Sequence, residues 1–188
     1  MRVFIAIDID QVIRKGLTEL QSEMLAKVDI KKSDAKWVNP QTMHLTLKFL
    51  GEIKDVQAVD VCNITKEVAA RHKCFDIDVG GVGFFGGRSA RVLWIGAGQE
   101  NEKLLQLQED LEKSLASTGW PPETRKFAGH LTLCRVRNSR AGIKLAHLTK
   151  EYEGYKLGVM PADSLCVYQS ELKSGGPVYT VLGSYDLQ

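Results

Sequence analysis

His44-Leu45-Thr46-Leu47 and His130-Leu131-Thr132-Leu133 are one tetrapeptide written twice, 86 residues apart, in a chain of 188 that holds only 4 histidines. Random composition yields a second copy on the order of once in several hundred such chains, so the repeat reads as an internal duplication. Successive side chains of a β-strand point to opposite faces, so each copy presents one imidazole beside one hydroxyl and buries its two leucines behind them. Two such strands side by side form a polar site of four groups.

Working outward from each copy, the same order of elements recurs. Val3, Ile5, Ile7 and Ile9 share one face of a first strand, and Asp8 and Asp10 close it in position to cap a helix over 11–28. The loop Lys31-Lys32-Ser33-Asp34 and the Asn39-Pro40 turn then lead to a strand over 43–50, which ends at Gly51. A helix over 54–72 follows, and then strands over 75–82 and 91–95 joined across a glycine-rich loop. In the second half, a helix carrying Leu104, Leu107, Leu111 and Leu115 ends near Gly119, and Pro121-Pro122 precede the second motif's strand over 127–136. A helix over 141–151 comes next, with strands over 154–160, 164–170 and, beyond the Gly175-Gly176-Pro177 turn, 179–186. Each half therefore reads helix, His-strand, helix, strand, strand. The expected fold is α+β and bilobal with a pseudo-two-fold. Two antiparallel sheets face a central cleft with helices packed outside, the lobes spanning about 10–96 and 100–170 and the terminal strands completing the sheets. With no evident linker beyond 96–101, the halves are expected to fold as one unit.

Composition narrows the function. Net charge is +2, from 25 Lys+Arg against 23 Asp+Glu, too balanced to hold nucleic acid by bulk electrostatics, so an anionic ligand needs local groups. No run has the apolar length of a membrane span, and Met1-Arg2 leads straight into Val3-Phe4-Ile5-Ala6-Ile7 without a signal-peptide pattern. A soluble, cytoplasmic protein with no membrane association is the expectation. Cys62, Cys74, Cys134 and Cys166 lack zinc-ligand spacing and are expected to be buried free thiols.

An imidazole has an ordinary pKa of about 6.5, so near neutral pH one of a pair can hold a proton while the other accepts one. Opening a cyclic phosphodiester with water needs both: a proton leaves the water and another reaches the departing sugar oxygen across phosphorus. Two histidines do this without a metal, and Thr46 and Thr132 would donate hydrogen bonds to the nonbridging oxygens. His72, beside Arg71 and Lys73, and His147, in a helical stretch, lack this context and read as structural or solvated. Lys48 shares the parity of His44 and Thr46, which aims it at a phosphodiester unless it is simply solvated. Arg125 and Lys126 flank the second strand's start, in reach of downstream phosphates or in a plain surface loop. The stretch from Gly80 to Gly87 lacks the Lys-Ser/Thr of a phosphate-binding loop and reads as a flexible hairpin rim, where Phe84 or Phe85 would stack on a base. Trp37, Trp94 and Trp120 are expected in the core.

Together the two motifs resemble the His-x-Thr-x signatures of the 2H phosphoesterase superfamily, and specifically its RNA 2',3'-cyclic phosphodiesterase (2'-5' RNA ligase) family. The resemblance covers essentially the whole chain: Arg2-Val3-Phe4-Ile5-Ala6-Ile7-Asp8, Lys36-Trp37-Val38, Lys48-Phe49-Leu50-Gly51, Arg91-Val92-Leu93-Trp94 and Tyr168-Gln169-Ser170 also match its landmarks. It implies hydrolysis of an RNA terminal 2',3'-cyclic phosphate to a 2'-phosphate with neither metal nor cofactor. His44 is then the proton donor to the 3'-oxygen and His130 the acceptor that activates water. Arg135 matches an arginine that binds phosphate or ligand in the family, although strand alternation points it away from His130 unless a bulge intervenes; a structural salt bridge is its other reading. Gly129 departs from the proline common before the second histidine, which would loosen φ there. The alternatives are 2'-5' ligation of tRNA halves, action on a small cyclic nucleotide, and a noncatalytic module that binds RNA ends. The expected partner is RNA with a 2',3'-cyclic phosphate terminus. No obligate protein partner is expected, and the chain is expected to be a monomer.

Overall fold

The computed structural model describes residues 1–174 and 176–188. Strand β1 (Arg2–Asp8) buries Val3, Ile5 and Ile7 completely, and Asp10 caps helix α1 (Gln11–Lys27) by accepting from Ile13 N at 2.8 Å. That side-chain oxygen satisfies one of the amides a helix start leaves without a partner. Strand β2 (Ala35–Trp37) and a 3-10 turn at Pro40–Thr42 lead into β3 (His44–Glu52), which is followed by α2 (Asp55–Ala69), β4 (Phe75–Gly86) and β5 (Ala90–Ala97). Helix α3 (Glu102–Ala116), capped by Asn101, opens the second half, and β6 (His130–Val136) carries its motif. Helix α4 (Ser139–Leu148), β7 (Lys156–Ala162), β8 (Ser164–Lys173) and β9 (Gly176–Asp186) complete the described chain. Among the described residues no helix is long and apolar enough to cross a membrane.

The strands form two antiparallel sheets, in the orders β3-β1-β8-β9 and β2-β6-β5-β4-β7. Each half of the sequence supplies strands to both sheets. The His44 strand shares its sheet with β8 from the second half, while the His130 strand lies between β2 and β5 from the first. Helices are shared out the same way: α2 and α3 cover the four-stranded sheet, and α1 and α4 cover the five-stranded one. The helix before each motif therefore packs on the sheet that does not contain that motif. The main apolar core runs through both layers. Leu104, Leu107, Leu111 and Leu115 of α3 are fully buried in it, each contributing about 1.5–3 kcal/mol on transfer from water.

Several expectations change. The spatial lobes are not the segments 10–96 and 100–170, because a hairpin built in the first half is delivered to the second motif's sheet. The glycine-rich stretch is paired strand up to Gly86, not a flexible rim. A Cβ on Gly83 would lie 2.4 Å from the Trp94 ring, so glycine there lets the indole lie flat across β4. Within the expected Gly175-Gly176-Pro177 turn, Gly175 lies outside the described residues. All four cysteines are free, but only Cys134 and Cys166 are buried, and Cys74 is exposed.

Candidate active site

Both motifs break strand alternation at the same place. Opposite β1, Ile5 pairs with Lys48 and Ala6 with Thr46, which leaves Leu47 as an extra residue; opposite β5, Leu93 pairs with Cys134 and Trp94 with Thr132, which leaves Leu133 extra. A β-bulge three residues past each histidine turns the following side chains over. The burial patterns of 44–50 and 130–136 are identical: histidine and threonine half-buried, both leucines buried, the fifth residue buried and the sixth exposed. The cleft face thus carries His44, Thr46 and Phe49 on one strand, and His130, Thr132 and Arg135 on the other.

The first wall is aromatic. Phe4 stacks on the His44 ring at 4.5 Å between centroids and 22°, and Tyr179 meets it edge-on at 5.0 Å and 85°. Phe4, Ala6, Cys166 and Tyr168 form a small apolar cluster under this face, separate from the main core. Burial holds His44 well below its ordinary range, to about pKa 4; the Asp8 charge opposes this, Arg14 adds to it, and the Thr42 carbonyl also opposes it. Tyr168 donates to Asp8 Oδ1 at 2.5 Å, and its hydroxyl is pushed up by burial and by that carboxylate. An open cavity of about 390 Å³ lies here, bordered by Asp8, Arg14, His44, Tyr168 and Tyr179.

The second wall holds His130 by a different device. His130 Nδ1 lies 2.8 Å from Ala128 O, and because a carbonyl can only accept, Nδ1 carries the hydrogen and the neutral ring's lone pair sits on Nε2. Phe85 packs edge-on against the ring at 5.1 Å and Trp94 stands at 6.4 Å. The two walls meet at Tyr179: burial pushes its hydroxyl up while the Arg135 guanidinium pulls it down, and the same ring touches His44.

His44 and Thr46 share one face of β3, His130 and Thr132 share one face of β6, and the bulge puts Arg135 on that same face of β6. Lys48 is a correction. The bulge turns it to the helix side, where it is 7 % exposed and its Nζ donates to Glu112 Oε2 at 2.8 Å and Pro121 O at 2.9 Å. Phe49, 70 % exposed, takes the cleft position instead. Phe84 is a second correction: it packs against the core and borders a separate cavity of about 360 Å³ beside Trp94, whereas Phe85 touches His130. Trp94 belongs to the cleft wall rather than to the core. Arg125 is exposed in the loop before β6. His72 pairs with Asp110 at 2.9 Å on the helical side, and His147 is exposed on α4. Gly129 is not loose. Its carbonyl accepts from Ala97 N at 3.0 Å, and a Cβ there would lie 2.1 Å from Ala97 O. Sequence reasoning missed Phe49, Asp8, Arg14 and Tyr179 as site groups; only the residue order shared by the two motifs hints at a shared bulge.

Comparison with known proteins gives the family and the fold. The family model described as LigT like phosphoesterase matches twice, over residues 7–94 and 95–179. A protein of Methanothermobacter thermautotrophicus named RNA 2',3'-cyclic phosphodiesterase is 32% identical over 183 residues, covering 96% of this chain and 95% of its own. One of the same name from Aquifex aeolicus is 33% identical over 175 residues, covering 92% of each. Among solved structures, TT0787 of Thermus thermophilus superposes with a TM-score of 0.80 at 28% identity, covering 100% of this chain and 98% of that one. E. coli LigT complexed with 3'-AMP gives 0.78 at 25% identity, with 99% and 97% covered. This chain belongs to the LigT-like phosphoesterase family.

Proposed function

We propose that the protein hydrolyses the terminal 2',3'-cyclic phosphate of RNA to a 2'-phosphate, with His44 as proton donor, His130 as acceptor, and Thr46 and Thr132 as donors to the phosphate oxygens. The observation that supports this is the pair of matching bulged strands, each carrying an imidazole and a hydroxyl two residues apart on one face. His130 Nε2 takes a proton from water as the water oxygen bonds to phosphorus. The bond from phosphorus to O3' breaks, and O3' takes a proton from His44. Arg135 supplies the cation that faces the phosphate, and Phe49 and Phe85 offer flat surfaces to the flanking bases. The relatives' name, RNA 2',3'-cyclic phosphodiesterase, supports the substrate class.

With burial holding it at about pKa 4, His44 is neutral near pH 7, which is the wrong state for a donor. An anionic phosphodiester between the walls favours imidazolium, so substrate binding draws the donor's proton from solvent onto His44. The test incubates the protein in EDTA with an oligonucleotide ending in a 2',3'-cyclic phosphate and identifies the product terminus. His44→Ala and His130→Ala are each expected to lower kcat by about 10²- to 10⁴-fold. Unchanged substrate, or full activity in both variants, sinks the reading.

A further inference from the structure

Because α1 and α3 each pack on the sheet that lacks the motif strand coming after them, the chain crosses between sheets before each histidine. The crossing segments, 28–43 and 117–129, are mostly irregular backbone and need anchors to hold one conformation. Each has an anchor at the bulge of the opposite motif; segment 28–43 is held besides by β2 pairing with β6 and by Arg14, which donates to Pro40 O at 2.7 Å and Met43 O at 3.3 Å. On the way to His44, Val38 N donates to Leu133 O at 3.0 Å. The buried Gln21 of α1 donates to Val38 O at 2.8 Å and to Leu133 O at 3.0 Å. Leu133 is the bulged residue of the His130 strand. On the way to His130, Lys48 Nζ donates to Pro121 O at 2.9 Å and to Glu112 Oε2 at 2.8 Å. Glu112 accepts in addition from Glu123 N and from Gln108 Nε2, both at 3.2 Å. Lys48 directly follows Leu47, the bulged residue of the His44 strand. From segment 117–129 the chain runs to Ala128, whose carbonyl holds His130 Nδ1.

We propose that the two motifs brace each other: Lys48, on the His44 strand, positions His130, and Gln21, through the bulge of the His130 strand, positions His44. Neither side chain touches the reacting atoms. Their bulges set the cleft side chains and at the same point anchor the backbone that delivers the other histidine. Misplacement of one imidazole by a fraction of an ångström misaligns it with phosphorus while its partner stays in place.

The inference rests on the acid–base reading of the histidine pair, and its test has a readout that does not depend on turnover. Lys48→Met alone leaves Glu112 as a nearly buried carboxylate without its cation, so the informative variant is Lys48→Met combined with Glu112→Leu, which removes both charges. Imidazole ¹⁵N shifts of all four histidines are recorded, together with kcat on a 2',3'-cyclic mononucleotide. In the double variant the His130 signals are expected to leave the Nδ1–H pattern while those of His44 stay, although residue 48 lies on the His44 strand; kcat falls about 10- to 100-fold. Gln21→Met is expected to move His44. Lys48→Arg, which keeps a cation at the site, returns most of the activity. A double variant that shifts His44 alone, or leaves His130 and kcat as in the wild type, overturns the proposal. If the wild type turns over no cyclic phosphate but the cross-strand shifts appear, the brace stands and the activity falls.

Discussion

An imidazole packed between the face of Phe4 and the edge of Tyr179 gives up water that would solvate its charge, and the nearby Asp8 carboxylate does not make good that loss. Between about pH 6.5 and 4 the unfolded chain binds a proton at residue 44 that the folded chain refuses. Stability from this group is therefore complete above pH 6.5 and is lost as pH falls toward 4. His44→Gln is expected to flatten that part of a urea-unfolding series against pH. The same shift bears on turnover. kcat/KM reports the free protein, where a proton donor of pKa about 4 makes activity fall as pH rises above that value; kcat reports the complex, where bound phosphate has raised His44, so in kcat the same fall is expected at higher pH. Identical limbs in both profiles would count against substrate-coupled protonation. The identity of the two histidines was readable from four letters written twice, but their unequal surroundings were not. Phe4, Asp8, Arg14 and Tyr179 come from three other elements and meet His44 only in the folded chain.

At the scale of the strand, one extra residue in each motif decides which side chains reach the cleft. Strict alternation puts Lys48 beside His44 and turns Arg135 away from His130; the bulges at Leu47 and Leu133 reverse both. Arg135→Met is expected to raise KM about 10-fold or more, the range of one charge-assisted hydrogen bond, with a smaller change in kcat. An unchanged KM would return Arg135 to a structural role. The start of β6 is equally constrained. Gly129 abuts Ala97 O, so Gly129→Ala forces the backbone apart beside His130 and is expected to cost about 1–3 kcal/mol in denaturant unfolding. A neutral substitution would mean that β5 and β6 separate easily there. Bulges leave no periodic trace in sequence, because they depend on how the partner strand pairs.

Over the whole molecule, the halves alike in sequence are not the halves alike in space. β4 and β5 are made in the first half and pair with β7 and β6 of the second, and β8 returns to β1 beside the His44 strand. Residues 1–97 and 98–188 expressed separately are therefore each expected to lack native circular dichroism and to recover it on mixing. A stably folded isolated half would contradict shared sheets. Apolar periodicity made β1 and all four helices legible to within a few residues, since burial of one face is a local demand on the chain. The repeated His-Leu-Thr-Leu was enough to establish the duplication and the chemistry of its four polar groups, because alternation fixes which side chains travel together along a strand. Which strands became neighbours, where alternation broke, and how each crossing segment was anchored were decided only by tertiary structure. Pairing, bulging and cross-bracing are set by contacts between residues far apart in sequence, and no local pattern encodes them.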